Sequence, residues 1–257
     1  MEPLSAPLLL GDASDWLRQG PMPCLADTPL IDVEALIAGA RRAVIVAPRP
    51  EDEVLGTGGL LAEFAAFGLD TLIIGVTDGE ATRRDRHEWT RETLRAKRVE
   101  ESVQALEALG ADTASVRRLR IADGGVSAAE EELTRCLGAL LRPGDLVFTT
   151  WDRDGHPDHA ACHRAVARAV FGRPLAAQDA PVWMWSWADP DDPSLPWSDV
   201  VRVELGRTAQ ARKQRALQMF RSLLCGDAET QGSGALSAAT LERFILPFET
   251  LIHAPEL

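Results

Sequence analysis

Short, unbroken apolar runs alternate along this chain with longer segments of mixed polarity. Residues 43–47 (Ala-Val-Ile-Val-Ala) read as a strand buried on both faces, because every position is apolar. Pro48 and Pro50 stop that run. Residues 71–76, 116–121 and 146–150 read as three further strands. Between them the spacing predicts helices: over 58–67, ended by Gly68; over 90–109, ended by Gly110; one ending near 141 after a capping box of Ser127 and Glu130; and one over 159–171. Alternating strands and helices imply an α/β fold: a Rossmann-like three-layer sandwich, its mostly parallel sheet covered by helices on both faces. The tail has a different pattern. Residues 182–187 alternate, which reads as a strand with Trp183, Trp185 and Trp187 on one face, able to pair with an extended segment at 200–205. Helices over 207–224 and near 236–244 follow. Residues 1–40 read as an N-terminal arm with a short helix, broken by Pro21, Pro23 and Pro29, and 1–257 as a single domain.

Composition narrows the function classes. The 257 residues carry 27 Lys+Arg against 39 Asp+Glu, a net charge of −12, which repels phosphate backbones and argues against a nucleic-acid partner. No apolar run is long enough to cross a bilayer, and the first residues lack a basic start followed by an apolar stretch, so a cytoplasmic, non-membrane protein is expected. Cys24, Cys136, Cys162 and Cys225 form no CxxC pair and read as reduced thiols. Exposed edge strands and tryptophans permit a homo-oligomer without requiring one.

The loops at 48–56, 77–90 and 151–159 all leave strands at their carboxyl ends, where ligands bind in doubly wound sheets. The first holds three consecutive carboxylates, Glu51, Asp52 and Glu53; the last holds His156-Pro-Asp-His159. Carboxylates and imidazoles at one edge suit a divalent metal such as zinc. Plainer readings exist for each. The acidic run also suits a helix N-terminus. The tryptophan stripe suits a half-buried strand face or a substrate-stacking wall. Arg83, Arg84 and Arg86 suit solvated loop charges or a grip on an anionic substrate, and Arg98 with Glu101 suits a helix ion pair.

Taken in order, these segments resemble the LmbE-like (PIG-L) zinc-dependent N-deacetylases, which carry Ala-His-Pro-Asp-Asp-Glu after the first strand and His-Pro-Asp-His after a later one. The continuation 52–59, the exit Thr77-Asp-Gly-Glu80, the helix segment Arg98-Val-Glu-Glu101 and the late segment 212–217 fit the same family order. The resemblance implies hydrolysis of the N-acetyl amide of an amino sugar or small conjugate by metal-activated water. It places zinc at positions 49, 52 and 159, a general base at position 51, and His156 as oxyanion stabiliser or proton donor to the amine. Asp158 would orient a histidine, and Arg49, Asp78, Arg84 and Arg98 would contact substrate. Two positions depart from the pattern. Glu51 replaces an aspartate, and Arg49 replaces the first zinc ligand with a guanidinium that has no lone pair to give. Asp52 and His159 remain, whereas catalytic zinc sites keep three protein ligands. Neighbouring His163, Cys162 or His87 are the available substitutes. The alternative is a metal-free relative that binds a ligand or partner without hydrolysis.

Overall fold

A computed structural model describes residues 25–81, 90–189, 192–224 and 238–253. Cys24, Cys225, Arg83, Arg84, Arg86, His87 and the arm through residue 24 lie outside the described residues.

The expected strands form at β2 (Arg42–Ala47), β3 (Asp70–Gly75), β4 (Val116–Arg118) and β5 (Asp145–Thr150). Four more are β1 (Leu30–Ile31), β6 (Ala176–Ala180), β7 (Val200–Glu204) and β8 (Phe248–His253). Together they make one eight-stranded sheet in the order β1-β7-β8-β6-β5-β2-β3-β4. Every neighbouring pair is parallel except those made by β8, which runs antiparallel to both β6 and β7. The chain starts the parallel half at β2, steps outward through β3 and β4, then returns to the other side of β2 with β5. The strand order therefore reverses between β2 and β5, the point at whose carboxyl ends such sheets bind ligands.

Among the described residues the helices are α1 (Val33–Ile37), α2 (Asp52–Phe67), α3 (Arg91–Leu109), α4 (Glu130–Leu140), α5 (Pro157–Val170), α6 (Met184–Trp187), α7 (Arg207–Leu217), α8 (Arg221–Leu224) and α9 (Ala238–Glu242). Side chains alternate across β2. Ala43 and Ile45 join one core with Leu60, Phe64, Leu106 and Phe148, whereas Val44 and Val46 join the opposite core with Leu133, Leu137 and Val166. That alternation is why the strand is apolar at every position.

Gly68 and Gly110 end α2 and α3 in the left-handed conformation, as their positions predict. Other boundaries moved. Helix α2 starts at Asp52, not near 58, so the first exit loop is short: Asp52 and Glu53 sit in the helical first turn and Glu51 precedes it as the N-cap. Ser127 is not a capping residue: a 3-10 turn over Val126–Ala129 precedes α4, and the Ser127 hydroxyl donates to Pro157 O. Strand β4 stops at Arg118. The helix expected over 207–224 breaks between α7 and α8. The predicted strand at 182–187 is instead the single turn of α6, and its hairpin with 200–205 does not form; β7 pairs with β1 and β8. Helical spacing separates the tryptophans, leaving Trp185 buried at 5% exposure and Trp187 at 46%. Of the described cysteines, Cys136 and Cys162 are free thiols.

Helix α2 carries the first exit and is broken at Thr57, whose φ of −137° and ψ of 17° are not helical. The break is held from both sides by a buried ion pair. Lys213 Nζ donates to Leu55 O at 2.8 Å, closing the first segment, and lies 2.6 Å from Glu249 Oε1. Glu249 accepts from Gly59 N at 2.6 Å and Leu60 N at 2.9 Å, capping the second. Gly59 leaves no room for a side chain here, since an added Cβ would lie 2.3 Å from Leu205 Cδ1.

Candidate active site

The exit of β2 and the exit of β5 meet at the crevice. On the β5 side, Asp154 organises the turn. Its carboxylate accepts from Val182 N, Trp183 N and Met184 N and lies 2.6 Å from His159 Nδ1. His159 is fully buried in the first turn of α5, and its Nε2 reaches to 3.3 Å from Asp52 Oδ2. Burial alone would lower the His159 pKa, but Asp52 and Asp154 outweigh it and raise the value to about 9.

His156 caps α5: its Nδ1 accepts from Asp158 N at 3.2 Å. That acceptance leaves the proton of a neutral ring on Nε2. Burial, then the Arg49 charge, lower its pKa to about 4, so His156 is neutral near pH 7. Its ring lies 4.9 Å from that of His159 and 6.0 Å from that of Trp183.

On the β2 side, Glu51 adopts φ 137° and ψ −34°, a conformation that L residues rarely hold and that costs on the order of 1–3 kcal/mol. Glu53 holds the turn. Its Oε2 accepts from Glu51 N at 3.0 Å while its Oε1 accepts from Ser102 Oγ. Burial is the main cause of a Glu51 pKa raised to about 7, against the nearby charges of Arg98 and Arg49, which pull it down. Asp52 Oδ2 accepts from Arg49 N at 2.9 Å. The Arg49 guanidinium stacks 5.1 Å from the Trp183 ring centre, and its Nε is 3.6 Å from Glu51 Oε1. Its Nε is buried with no hydrogen-bond partner, as is Asp52 Oδ1.

The geometry thus brings Arg49, Glu51, Asp52, His156 and His159 to one crevice. Other residues read from the sequence sit differently. The Asp158 carboxylate does not meet a histidine; it accepts from Gly124 N and Val126 N, and Asp154 is the carboxylate on His159. Sequence reasoning missed Asp154 because no short motif marks a residue five positions before the histidine it holds. Asp78 is engaged by Arg118 at 3.2 Å and Arg95 at 3.8 Å, which leaves its carboxylate little freedom to take a substrate. Arg98 does not pair with Glu101; it donates to Gly79 O at 2.8 Å, near enough for its charge to act on Glu51. Glu101 accepts from Ser222 N and Oγ. His163 turns away to Asp179 at 2.9 Å, and Cys162 is buried in the core on the α5 side.

Asp52 and His159, whose Nε2 lies 3.3 Å from Asp52 Oδ2, are two side chains of the kind zinc takes, and Asp154 steadies the imidazole as second-sphere carboxylates do. The third position holds the Arg49 guanidinium, which is a cation and not a donor. Among the described residues no group of three or more His, Cys, Asp or Glu side chains can hold a metal ion. The donor set does not fit a three-ligand zinc site.

A doubly wound sheet with imidazoles and carboxylates at its switch point defines the class: an α/β protein with a polar ligand crevice. Residues 44–170 match the model of the PIG-L (LmbE-like) family, described as GlcNAc-PI de-N-acetylase. It is similar to the 1D-myo-inositol 2-acetamido-2-deoxy-alpha-D-glucopyranoside deacetylase of Rhodococcus opacus (strain B4), 32% identical over 155 residues, covering 51% of this chain and 53% of that one. The chain therefore spans about half the length of the curated relatives it matches. Among solved structures it resembles the conserved protein TT1542 from Thermus thermophilus, with 27% identity, 71% and 79% of the two chains covered and a TM-score of 0.51. It also resembles the zinc-inhibited form of teicoplanin deacetylase Orf2, at 16% identity, 84% and 100% coverage and a TM-score of 0.62, a likeness of fold. No helix of the described residues is long and apolar enough to cross a membrane.

Proposed function

We propose that this chain is an N-deacetylase that hydrolyses the acetamide of an N-acetylated amino sugar or small conjugate. The observation that carries the reading is a crevice, in a chain that matches the PIG-L family model, in which Glu51, with its pKa raised to about 7, faces the buried and unbonded Arg49 Nε. A carboxylate that titrates near neutrality is matched to accept a proton from water. In the reaction the water oxygen attacks the acetyl carbonyl carbon while Glu51 takes the water proton. The Arg49 guanidinium and the His156 Nε2–H donate hydrogen bonds to the oxygen as it gains negative charge. The C–N bond then breaks, Glu51 returns its proton to the nitrogen, and acetate and a free amine leave. Zinc, which the family resemblance implies, has no step here because the donor set lacks its third ligand.

The test is acetate release from N-acetylglucosamine and its glycosides by the purified protein, with and without a chelator. Release is expected in both, and Glu51→Gln should lower it roughly 10²- to 10⁴-fold. Binding of the sugar with no acetate released would make the chain a ligand-binding relative and sink the hydrolytic reading.

A further inference from the structure

We infer that Trp183 and Trp187 form one wall, from the floor of the crevice to its mouth, that stacks on the apolar face of a ligand's pyranose ring. The ring's identity rests on the amino-sugar reading above; the wall itself rests on geometry. Trp183 has helical backbone angles and leads directly into α6, so Trp183 and Trp187 lie four residues apart on one helical face, while Trp185 between them turns into the core. Both flank the same turn of the β5 exit. The Trp183 ring touches the reactive end, 5.1 Å from the Arg49 guanidinium carbon and 6.0 Å from the His156 ring. The Trp187 indole N–H donates to Asp154 O at 3.0 Å, one residue before Gly155.

Trp187 is nearly half exposed, yet it is fixed. Besides that hydrogen bond, its indole lies against Gly155, where an added Cβ would come within 2.8 Å of the indole nitrogen; Gly155 also needs its φ of +89°. A large apolar ring held still at the surface loses little conformational freedom when a flat partner settles on it. A pyranose suits it, because such a ring offers an apolar C–H face to an aromatic plane and hydroxyls to water at its edge. The wall thus holds the sugar while the acetamide reaches Arg49 and Glu51.

Calorimetric titration with N-acetylglucosamine and N,N'-diacetylchitobiose tests this in a Glu51→Gln background, where turnover is slowed. Trp187→Ala should weaken binding roughly 3- to 10-fold and Trp187→Phe should retain most of it. Unfolding midpoints equal to those of the parent variant establish that the fold is kept. If the parent binds neither sugar, or Trp187→Ala binds both as tightly as the parent, the wall is wrong. If binding depends on Trp187 but the native chain releases no acetate, the hydrolytic reading fails and the wall stands.

Discussion

The exits of β5 and β2 face each other across the crevice and are built in opposite ways. On the β5 side Asp154 satisfies three backbone N–H groups and His159, and Asp158 satisfies two more N–H groups. On the β2 side Glu51 holds a rare backbone conformation, and both Arg49 Nε and Asp52 Oδ1 are buried without a hydrogen bond. The β5 exit is a frame; the β2 exit keeps polar atoms without hydrogen bonds that a ligand can engage. The difference locates the departure from the family pattern: it falls wholly in the β2 exit, while the histidine loop opposite keeps its support.

If the β5 exit is the frame, its centre should be the most costly residue to lose. Asp154→Ala removes every bond at once and strands His159 beside Asp52. The expected loss is on the order of 3–5 kcal/mol of stability, the scale for breaking a buried charged network. Urea unfolding measures it. A loss below about 1 kcal/mol would break the contrast between the exits, since surface substitutions commonly cost that little.

Arg49→His tests the other side. The change supplies a third ligand beside Asp52 and His159, which already lie 3.3 Å apart. The variant should bind zinc, and at a free concentration of roughly 100 times its Kd zinc should stabilise it by about 2.7 kcal/mol, while the native chain gains nothing. Metal analysis and melting with added zinc read this directly. Stoichiometric zinc on the native chain would overturn the conclusion that Arg49 closes the site.

Much of this was legible in the sequence. The sheet strands of uniform apolarity announced themselves because burial on both faces leaves no room for polar positions. The crevice residues Glu51, Asp52, His156 and His159 were legible because two strand exits placed them at one edge. Trp183, Trp185 and Trp187 misled, since tryptophans at every second position of one helical turn imitate strand alternation over so short a span. Strand β6 (Ala-Ala-Gln-Asp-Ala) was invisible because alanine and polar residues carry no strand signal; β5 and β8 recruit it from either side. Asp154 and the Lys213–Glu249 pair were hidden because their partners are distant backbone groups, which no local spacing reports.

The finest test of the comparison uses pH. Burial raises the Glu51 pKa from an ordinary 4.5 to about 7, so the folded chain holds this proton more tightly than the unfolded one. Glu51 therefore contributes stability in full below pH 4.5, and that contribution is lost as pH rises through about 7. His156 moves the other way. Its folded pKa falls from 6.5 to about 4, so its contribution is present above 6.5 and lost as pH falls through about 4. His159, raised from 6.5 to about 9, acts in a separate window above neutrality. Between pH 4.5 and 6.5 the acid of the β2 exit and the histidine of the β5 exit thus oppose each other. Removing the acid with Glu51→Gln should tilt unfolding free energy upward with pH across that interval, by roughly a few tenths to 1 kcal/mol per unit. Parallel native and Glu51→Gln curves would mean that Glu51 titrates at its ordinary value, and the β2 exit would then hold no carboxylate poised near neutrality.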